Sequence, residues 1–179
     1  MNSLVFGAKR AILLLAGVLL VGCAAPPSAT NMAATAPATL VPAANAGGLK
    51  TTGKTISVAV AGSVDAYNTS FKGAIEKSLS DAGLFTIVGP SDATYKLNVT
   101  VIELRFPFSI ASKTAQLEAA WSLTKSDGNS IVHRKVYNSE FTGGAFDSFN
   151  GATRVVMAAE GATKKNIEAA LDDISKLNF

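Results

Sequence analysis

The chain has 179 residues and a formal net charge of +3 at pH 7, and Cys23 is its one cysteine. A lone cysteine excludes an intramolecular disulfide. Because no run of Lys and Arg is longer than two residues, the small basic excess does not indicate binding to nucleic acid.

The N-terminus has the pattern of a bacterial export signal. Lys9 and Arg10 precede a run of twelve residues, 11–22, in which no side chain is charged or polar. This run has the length of a signal-peptide core and is shorter than the ~20 residues that a transmembrane helix needs. Residues 1–22 are therefore predicted to be a signal peptide rather than a membrane span.

The apolar run ends in Leu20-Val21-Gly22-Cys23, which resembles the lipobox of bacterial lipoproteins. The resemblance implies cleavage between Gly22 and Cys23 and acylation of Cys23, palmitate included, as the first residue of the mature chain. Two acyl groups would anchor the protein stably, whereas a single chain binds a membrane only marginally. Since Ala24 rather than an aspartate follows the cysteine, the resemblance also implies sorting to the outer membrane, with the protein on the periplasmic face.

Residues 23–54 are predicted to be the lipidated cysteine followed by a flexible tether. Ala, Pro, Thr and Gly dominate this segment, and no apolar periodicity persists along it. Such a segment buries too little apolar surface to offset the entropy lost on ordering. The sequence thus divides into a signal peptide (1–22), a lipidated tether (23–54) and an α+β periplasmic domain (55–179), which at about 125 residues is long enough for one core.

Residues 48–55, GLKTTGKT, match the P-loop pattern GxxxxGK[ST] letter for letter. A P-loop binds phosphate when a strand precedes it and a helix follows it. Here the predicted tether precedes the motif, and the alternation of Ile56, Val58 and Val60 predicts a strand after it. The order is the reverse of what phosphate binding needs, so no nucleotide site is predicted.

The predicted domain starts with that strand, over 56–61. Apolar side chains then recur every four residues and predict an amphipathic helix that ends at Gly83, with Tyr67, Phe71, Ile75 and Leu79 on its buried face. Further apolar patterns predict strands at 84–88, 95–104, 114–125 and 131–142, the last with a bulge. A long helix is predicted over 153–177, where Gly161 is a local weakness.

The element order β-α-β-β-β-β-α predicts an α+β fold. One helix connects the first two strands, hairpin-linked strands follow, and one helix closes the domain. We expect a two-layer sandwich in which a mixed, mostly antiparallel sheet of about five strands carries two helices on one face. The side chains predicted on the other face are polar enough to contact water.

The sequence gives little support to catalysis. His133 is the single histidine and lies in a predicted strand, where a solvated side chain is expected. A transition-metal site would need further Cys or His residues, and Asp172 and Asp173 are neighbours on a helix that point in different directions. No catalytic residue, metal ion or cofactor is predicted, and the chain is not expected to be an enzyme.

Four phenylalanines occur in two loops that the strand order places at the same end of the sheet. Phe106 and Phe108 follow the strand 95–104, whereas Phe146 and Phe149 join the last strand to the last helix. They form either an apolar docking patch for a partner or a plug at the end of the core beneath the helices. The sequence leaves both alternatives open.

The lipobox, the Pro/Ala-rich tether and the small α+β domain together resemble small Gram-negative envelope lipoproteins, and YajG-like lipoproteins in particular. The similarity to that family lies at Tyr137-Asn138, Glu140, Gly144-Ala145-Phe146 and Asn166-Ile167. The layout is also similar to the LPS-assembly lipoprotein LptE and to auxiliary lipoproteins of lipid-transport ABC systems. The resemblance implies an envelope role without catalysis and transfers no binding residues.

Two functions follow as hypotheses. The first is a lipid-anchored, non-enzymatic envelope lipoprotein that serves as an accessory or assembly subunit through contacts with an envelope protein. The second is a periplasmic domain that binds a small ligand or a lipid, which requires a cavity between the helices and the sheet.

Overall fold

The computed structural model describes residues 25–35, 53–109, 112–128, 130–144 and 146–177. The predicted signal peptide and the predicted cleavage site at Gly22 and Cys23 lie outside the described residues. Within the described ranges, no helix combines the length and the apolarity that crossing a membrane requires. The elements follow one another as α1 (Ala29–Met32), β1 (Thr55–Ala61), α2 (Asp65–Asp81), β2 (Thr86–Ile87), β3 (Tyr95–Arg105), β4 (Lys113–Lys125), β5 (Ile131–Gly143) and α3 (Gly151–Ser175).

The five strands form one open, mixed sheet in the order β2-β1-β3-β4-β5. Strand β1 runs parallel to both of its neighbours, whereas β3, β4 and β5 pair in antiparallel fashion. A parallel pair needs a crossover, and α2 supplies it between β1 and β2. With α2 and α3 packed on the sheet, the structure confirms the predicted α+β sandwich.

Alternating burial along β4 shows which face of the sheet meets the helices. Every second side chain of this strand is at most 2% exposed: Ala115, Leu117, Ala119, Trp121 and Leu123. Trp121 makes edge-to-face contacts with Phe71 of α2 and Tyr137 of β5, with ring centroids 6.2 Å apart in both pairs. The intervening side chains of β4 are polar or small and lie on the face that the described helices leave uncovered.

A buried amide fixes α3 on the sheet. Asn166 accepts a hydrogen bond from Trp121 Nε1 at 2.9 Å and donates one to the Tyr137 carbonyl at 2.9 Å. The amide is fully buried, and these bonds offset the cost of removing it from water. Gly161, predicted to weaken this helix, has a packing role, because a Cβ atom there would collide with the Phe141 ring of β5.

Two further predictions can be compared with the observed strands. The strand predicted over 84–88 is shortened to Thr86–Ile87, because only Thr55 and Ile56 of β1 lie opposite it. The preceding Phe85 turns into the core, where its ring packs edge-to-face on Tyr95. The bulge predicted in the last strand is present as a register shift between β4 and β5, next to Leu123.

Residues 25–35, which we name the strap, pack against both long helices. The sequence predicts a flexible tether here, and this prediction is wrong for the strap, since Met32 is 0% exposed and belongs to the core. The strap lies close to α2 at Gly73, which has no side chain. A Cβ atom added at Gly73 would lie only 3.2 Å from Ala29 Cβ of the strap. Met32 therefore fills a groove between α2 and α3, and burying a methionine contributes about 2 kcal/mol. Residues 36–52 lie outside the described residues, and the division of the chain at 22/23 and 54/55 stays a prediction.

Candidate functional site

A buried carboxylate on α3 holds the first half of the strap. Glu160 is largely buried and accepts hydrogen bonds from the Ser28 backbone N–H at 2.7 Å and from Asn31 Nδ2 at 3.0 Å. A buried carboxylate without such partners would be costly, and hydrogen bonds to a charged acceptor are stronger than neutral ones. The two contacts fix the position of the strap on α3.

The second half of the strap is held by α2. The Ala34 N–H donates to Ser78 Oγ at 2.9 Å, in the last turn of that helix. At its other end the strap lies near the beginning of α3, where Ala25 and Pro26 line a cleft with Thr153. The strap therefore runs from the N-terminal end of α3 to the C-terminal end of α2.

The four phenylalanines singled out in the sequence, which we name the aromatic rim, lie at one end of the sheet. Phe108 is 92% exposed, Phe146 and Phe149 are almost wholly exposed, and Phe106 is partly exposed at 42%. The alternative that they plug the end of the core is therefore wrong. Their role as a docking patch for a partner stays a prediction.

Polar contacts in the loop between β5 and α3 keep two rim side chains outside. Asp147 Oδ2 accepts a hydrogen bond from the Gly144 N–H at 2.6 Å, which closes a turn around position 146. Asn150 caps α3 by accepting from the backbone N–H two residues later at 2.9 Å. Since this geometry fixes the loop backbone without using either ring, Phe146 and Phe149 remain exposed.

The uncovered face of the sheet carries negative charge near the aromatic rim. Glu103 of β3 stands directly opposite Glu118 of β4, and Glu140 of β5 stands opposite Gln116. Like charges directly opposite one another destabilise a sheet. Arg105 Nε, 3.2 Å from Glu103, and Gln116 Nε2, which donates to Glu140 at 2.6 Å, offset part of this repulsion.

The same face becomes basic toward the opposite end of the sheet. Lys96 and Arg134 lie there, opposite Thr124 and Ser122 respectively. The face is therefore divided into an acidic half next to the rim and a basic half away from it. Such a face suits a polar partner whose basic and acidic groups lie opposite these acidic and basic halves.

A polar cluster joins β5 to the last turns of α3. His133 Nε2 lies 2.9 Å from the Tyr137 hydroxyl, which donates to Asp173 Oδ2 at 2.8 Å, and Lys135 Nζ lies 2.6 Å from the same oxygen. The hydrogen bonds from Lys135 and Tyr137 lower the pKa of Asp173. Burial, followed by the hydrogen bond to Asp173, raises the pKa of Tyr137.

This cluster connects the last turns of α3 to the edge strand β5. A tyrosine whose pKa is raised stays protonated at neutral pH, so it cannot serve there as a base. His133, for which a solvated side chain is expected, and Asp173 are both partly exposed where α3 meets the sheet edge, and each also has a hydrogen-bond partner there. The sequence feature that could have predicted this contact is the alternation of His133, Lys135 and Tyr137. It places three polar groups on the helix-facing side of β5.

The P-loop pattern leads into a strand. Gly53 and Lys54 are the described residues that precede β1, which begins at Thr55. The Thr55 hydroxyl donates to the Asp92 carbonyl at 2.9 Å, in the turn that precedes β3. Across the ranges that the structure describes, no three His, Cys, Asp or Glu side chains come together as a metal site.

The space between the helices and the sheet is filled by side chains. Trp121, Phe71 and Met32 are fully buried there, and the strap covers the groove between the helices. The depressions found on the described part of the chain lie at its surface, on the sheet face and beside the strap. The hypothesis of a ligand between the layers therefore has no support from the described residues.

No protein-family model and no curated protein matches the chain. Protein XCC0632 from Xanthomonas campestris, which carries the family description DUF330, is 12% identical, with a TM-score of 0.54 over 66% of this chain and 81% of that one. Protein CT253 from Chlamydia trachomatis is 8% identical, with a TM-score of 0.50 over 66% of this chain and 95% of that one. A minor lipoprotein from Acinetobacter baumannii is 15% identical, with a TM-score of 0.44 over 69% and 88%.

At these identities the similarity to XCC0632 and CT253 shows a shared fold and assigns no activity. The domain has the α+β architecture of XCC0632 and CT253. What the chain does must therefore be argued from its own surfaces, namely the strap, the aromatic rim and the uncovered face of the sheet.

Proposed function

We propose that this chain is a lipid-anchored, non-enzymatic lipoprotein of the Gram-negative envelope, of the YajG-like kind, that serves as an accessory or assembly subunit through protein contacts. Acyl groups on Cys23, palmitate among them, hold it in the outer membrane with the domain on the periplasmic side. The support for the anchor is the lipobox-like sequence that ends at Cys23. The strap, which begins two residues after Cys23, packs against both long helices, so the residues that follow the proposed anchor belong to the folded part of the chain.

The observation that carries the accessory role is the uncovered face of the sheet. One face of this five-stranded sheet is closed by two helices and the strap, whereas the described chain places no element on the other. That face is polar, and its middle strand contributes Gln116, Glu118 and Ser122 to it. A polar, open and rigid surface suits contact with another protein better than it suits a small ligand.

The charges on this face indicate the chemistry of the partner. Glu103 and Glu118 stand opposite each other although this arrangement costs stability, and Glu140 lies one strand further on. A partner that brings lysine or arginine side chains to these carboxylates would relieve the repulsion. The partner is therefore proposed to be an envelope protein with a basic surface.

The non-enzymatic part of the proposal rests on how the reactive side chains are used. His133, Tyr137 and Asp173 contact one another between α3 and β5. Glu160 is engaged by the strap through two hydrogen bonds. These groups serve the packing of the domain and do not converge on a cleft that could hold a substrate.

The anchor is tested by replacing Cys23 with Ser in the full-length chain. We expect the native chain to incorporate labelled palmitate and to fractionate with outer membranes, and we expect C23S to lose both properties. Palmitate incorporation that persists in C23S would contradict acylation at this residue.

The partner surface is tested by site-specific photocrosslinking in native envelopes. Photoreactive residues at Gln116 and Asn138, both on the uncovered face, should give the same crosslinked protein, and the same residue at Lys77 on the outer side of α2 should not. The substitution Glu118→Lys should reduce the crosslinks from the two face positions. Equal crosslinking from Lys77, or none from the face, would count against the proposal.

A further inference from the structure

Exposed apolar side chains are concentrated at one end of the domain. The described chain has eight exposed large apolar side chains, and six of them lie at the end where β1 and β3 finish and where α2 and α3 begin. Those six are Val64, Ile102, Phe106, Phe108, Phe146 and Phe149. A concentration of apolar side chains at one end marks a surface that meets something other than water.

The topology brings three separate connections to this end, between β1 and α2, between β3 and β4, and between β5 and α3. Strands β1 and β3 are parallel, so both finish there, and α2 begins directly after β1. Strand β4 runs antiparallel to β3, and β5 antiparallel to β4, so β5 also finishes there and leads into α3. The aromatic rim is therefore a property of the fold and not of a single loop.

The strap also begins at this end. Ala25 and Pro26 line a cleft with Thr153, in the first turn of α3, and Phe149 precedes that helix by two residues. From there the strap runs away from the rim to Ala34, which is bonded to the last turn of α2. The direction of the strap is fixed by Glu160, which binds two of its residues.

The distance from the strap to the anchor follows from chain geometry. Ala25 is two positions after Cys23, and an extended chain spans at most about 7 Å over two positions. The acyl groups proposed on Cys23 must therefore enter the bilayer beside the aromatic rim. A long tether would let the domain move far from the acyl groups, whereas two positions of chain keep Ala25 close to them.

We propose that the aromatic rim rests in the lipid bilayer surface next to the acyl anchor, so that the domain is held at the membrane in one orientation. The proposal rests on the acylation of Cys23 proposed above. Aromatic side chains are suited to the membrane interface, and apolar surface buried beside an acyl chain strengthens the anchor. The uncovered face of the sheet then stands beside the membrane, where a second envelope protein can reach it.

The test uses the full-length, acylated chain in vesicles of phosphatidylethanolamine and phosphatidylglycerol that contain brominated phosphatidylcholine, which quenches nearby tryptophan. Trp121, the single native tryptophan, is fully buried and gives a constant background. The substitution Phe146→Trp adds a tryptophan to the rim, and Ile131→Trp adds one to an exposed position at the opposite end. Since an interfacial side chain lies about 5–10 Å into the membrane boundary, we expect at least about threefold stronger quenching at 146 than at 131.

The strap supplies a second measurement. The substitution Glu160→Ala removes the acceptor that orients the strap, so the difference in quenching between positions 146 and 131 should become smaller. The same substitution leaves Cys23 and its acylation in place. A difference that is unchanged in E160A would contradict the role of the strap in orienting the domain.

The outcomes separate the two proposals. If the chain incorporates palmitate and floats with the vesicles but position 146 is not quenched, or is quenched no more than position 131, the rim proposal is overturned and the anchor stands. If the chain does not incorporate palmitate, the anchor fails and the rim proposal falls with it. If a photoreactive residue at 146 crosslinks mainly to a protein in native envelopes, contact of the rim with the bilayer is contradicted and contact with a protein is favoured.

Discussion

The strap and the aromatic rim begin at the same end of the domain, but they bury their apolar side chains to opposite degrees. Met32 of the strap is fully buried, whereas Phe108 of the rim is almost wholly exposed. Both residues lie outside the long helices and the sheet. Polar contacts also fix the backbones of both segments, through Glu160 of α3 for the strap and through Asp147 for the rim.

The difference between them lies in what stands opposite each side chain. Met32 belongs to the buried core, and the short helix that carries it contacts both α2 and α3. The rim faces outward from the ends of strands, and the described chain brings no element across it. Burial of an apolar residue in an irregular segment is thus decided by whether two other elements leave a space of the right size.

Among the substitutions that test this difference in burial, Met32→Ala is expected to cause the largest loss of stability. Removing a fully buried methionine leaves a cavity and should lower the free energy of unfolding by about 2–5 kcal/mol. Urea denaturation of the purified protein measures it. A loss below about 0.5 kcal/mol, which is typical of surface positions, would show that the strap is not docked in solution.

Alkaline pH tests whether the core beneath the rim excludes water. Burial raises the pKa of Tyr67 to about 12, an effect that its hydrogen bond with Thr163 reduces in part. Because the unfolded state ionises near the ordinary value of about 10, stability from this group is complete below pH 10 and is lost as the pH rises toward 12. We expect a decrease of up to about 3 kcal/mol over this window.

The control for this pH dependence is Tyr67→Phe. Tyr137 also has a raised pKa and adds to the alkaline loss in both proteins, so the difference between them isolates Tyr67. Unfolding free energies measured from pH 8 to pH 12 should fall less steeply in Y67F. Identical slopes would mean that water reaches the Tyr67 hydroxyl from the rim.

The polar half of the strap is tested by Glu160→Ala. This substitution leaves the Ser28 N–H and the Asn31 amide without their acceptor and should cost about 1–3 kcal/mol. Because Met32 acts through the same docked segment, the double variant should cost less than the two single variants together. Additive losses would show that the two residues stabilise the domain independently.

The smallest effect is expected at the rim. Phe108→Ser and Phe146→Ser remove side chains that are more than 90% exposed, so each should change the free energy of unfolding by less than about 0.5 kcal/mol. The same denaturation experiment serves as the measurement. A loss comparable to that of Met32→Ala would mean that the rim belongs to the core.

The fold was accessible from the sequence because its main elements carry regular patterns. The alternation along 114–125 marks one face of the central strand, and the four-residue period from Tyr67 to Leu79 marks the buried side of α2. Strand order alone also placed both rim loops at one end of the sheet. These patterns are local and do not depend on the detail of side-chain packing.

The strap was not accessible in the same way. Its composition is that of a linker, and the single large side chain at Met32 has no periodic partner in the chain. The groove that receives it exists only after α2 and α3 have packed on the sheet. The contact of His133 and Tyr137 with Asp173 was missed for a related reason, since it depends on the register of β5 and the length of α3.

The shortness of the link between Cys23 and the strap has a consequence for the order of events during maturation. Proteolytic cleavage takes place at exposed chain segments, so the cleavage proposed between Gly22 and Cys23 needs these residues to be accessible. When the strap is docked, Ala24 alone separates Cys23 from residues that contact α3. On the proposed acylation, we expect cleavage to come before the docking of the strap on the helices.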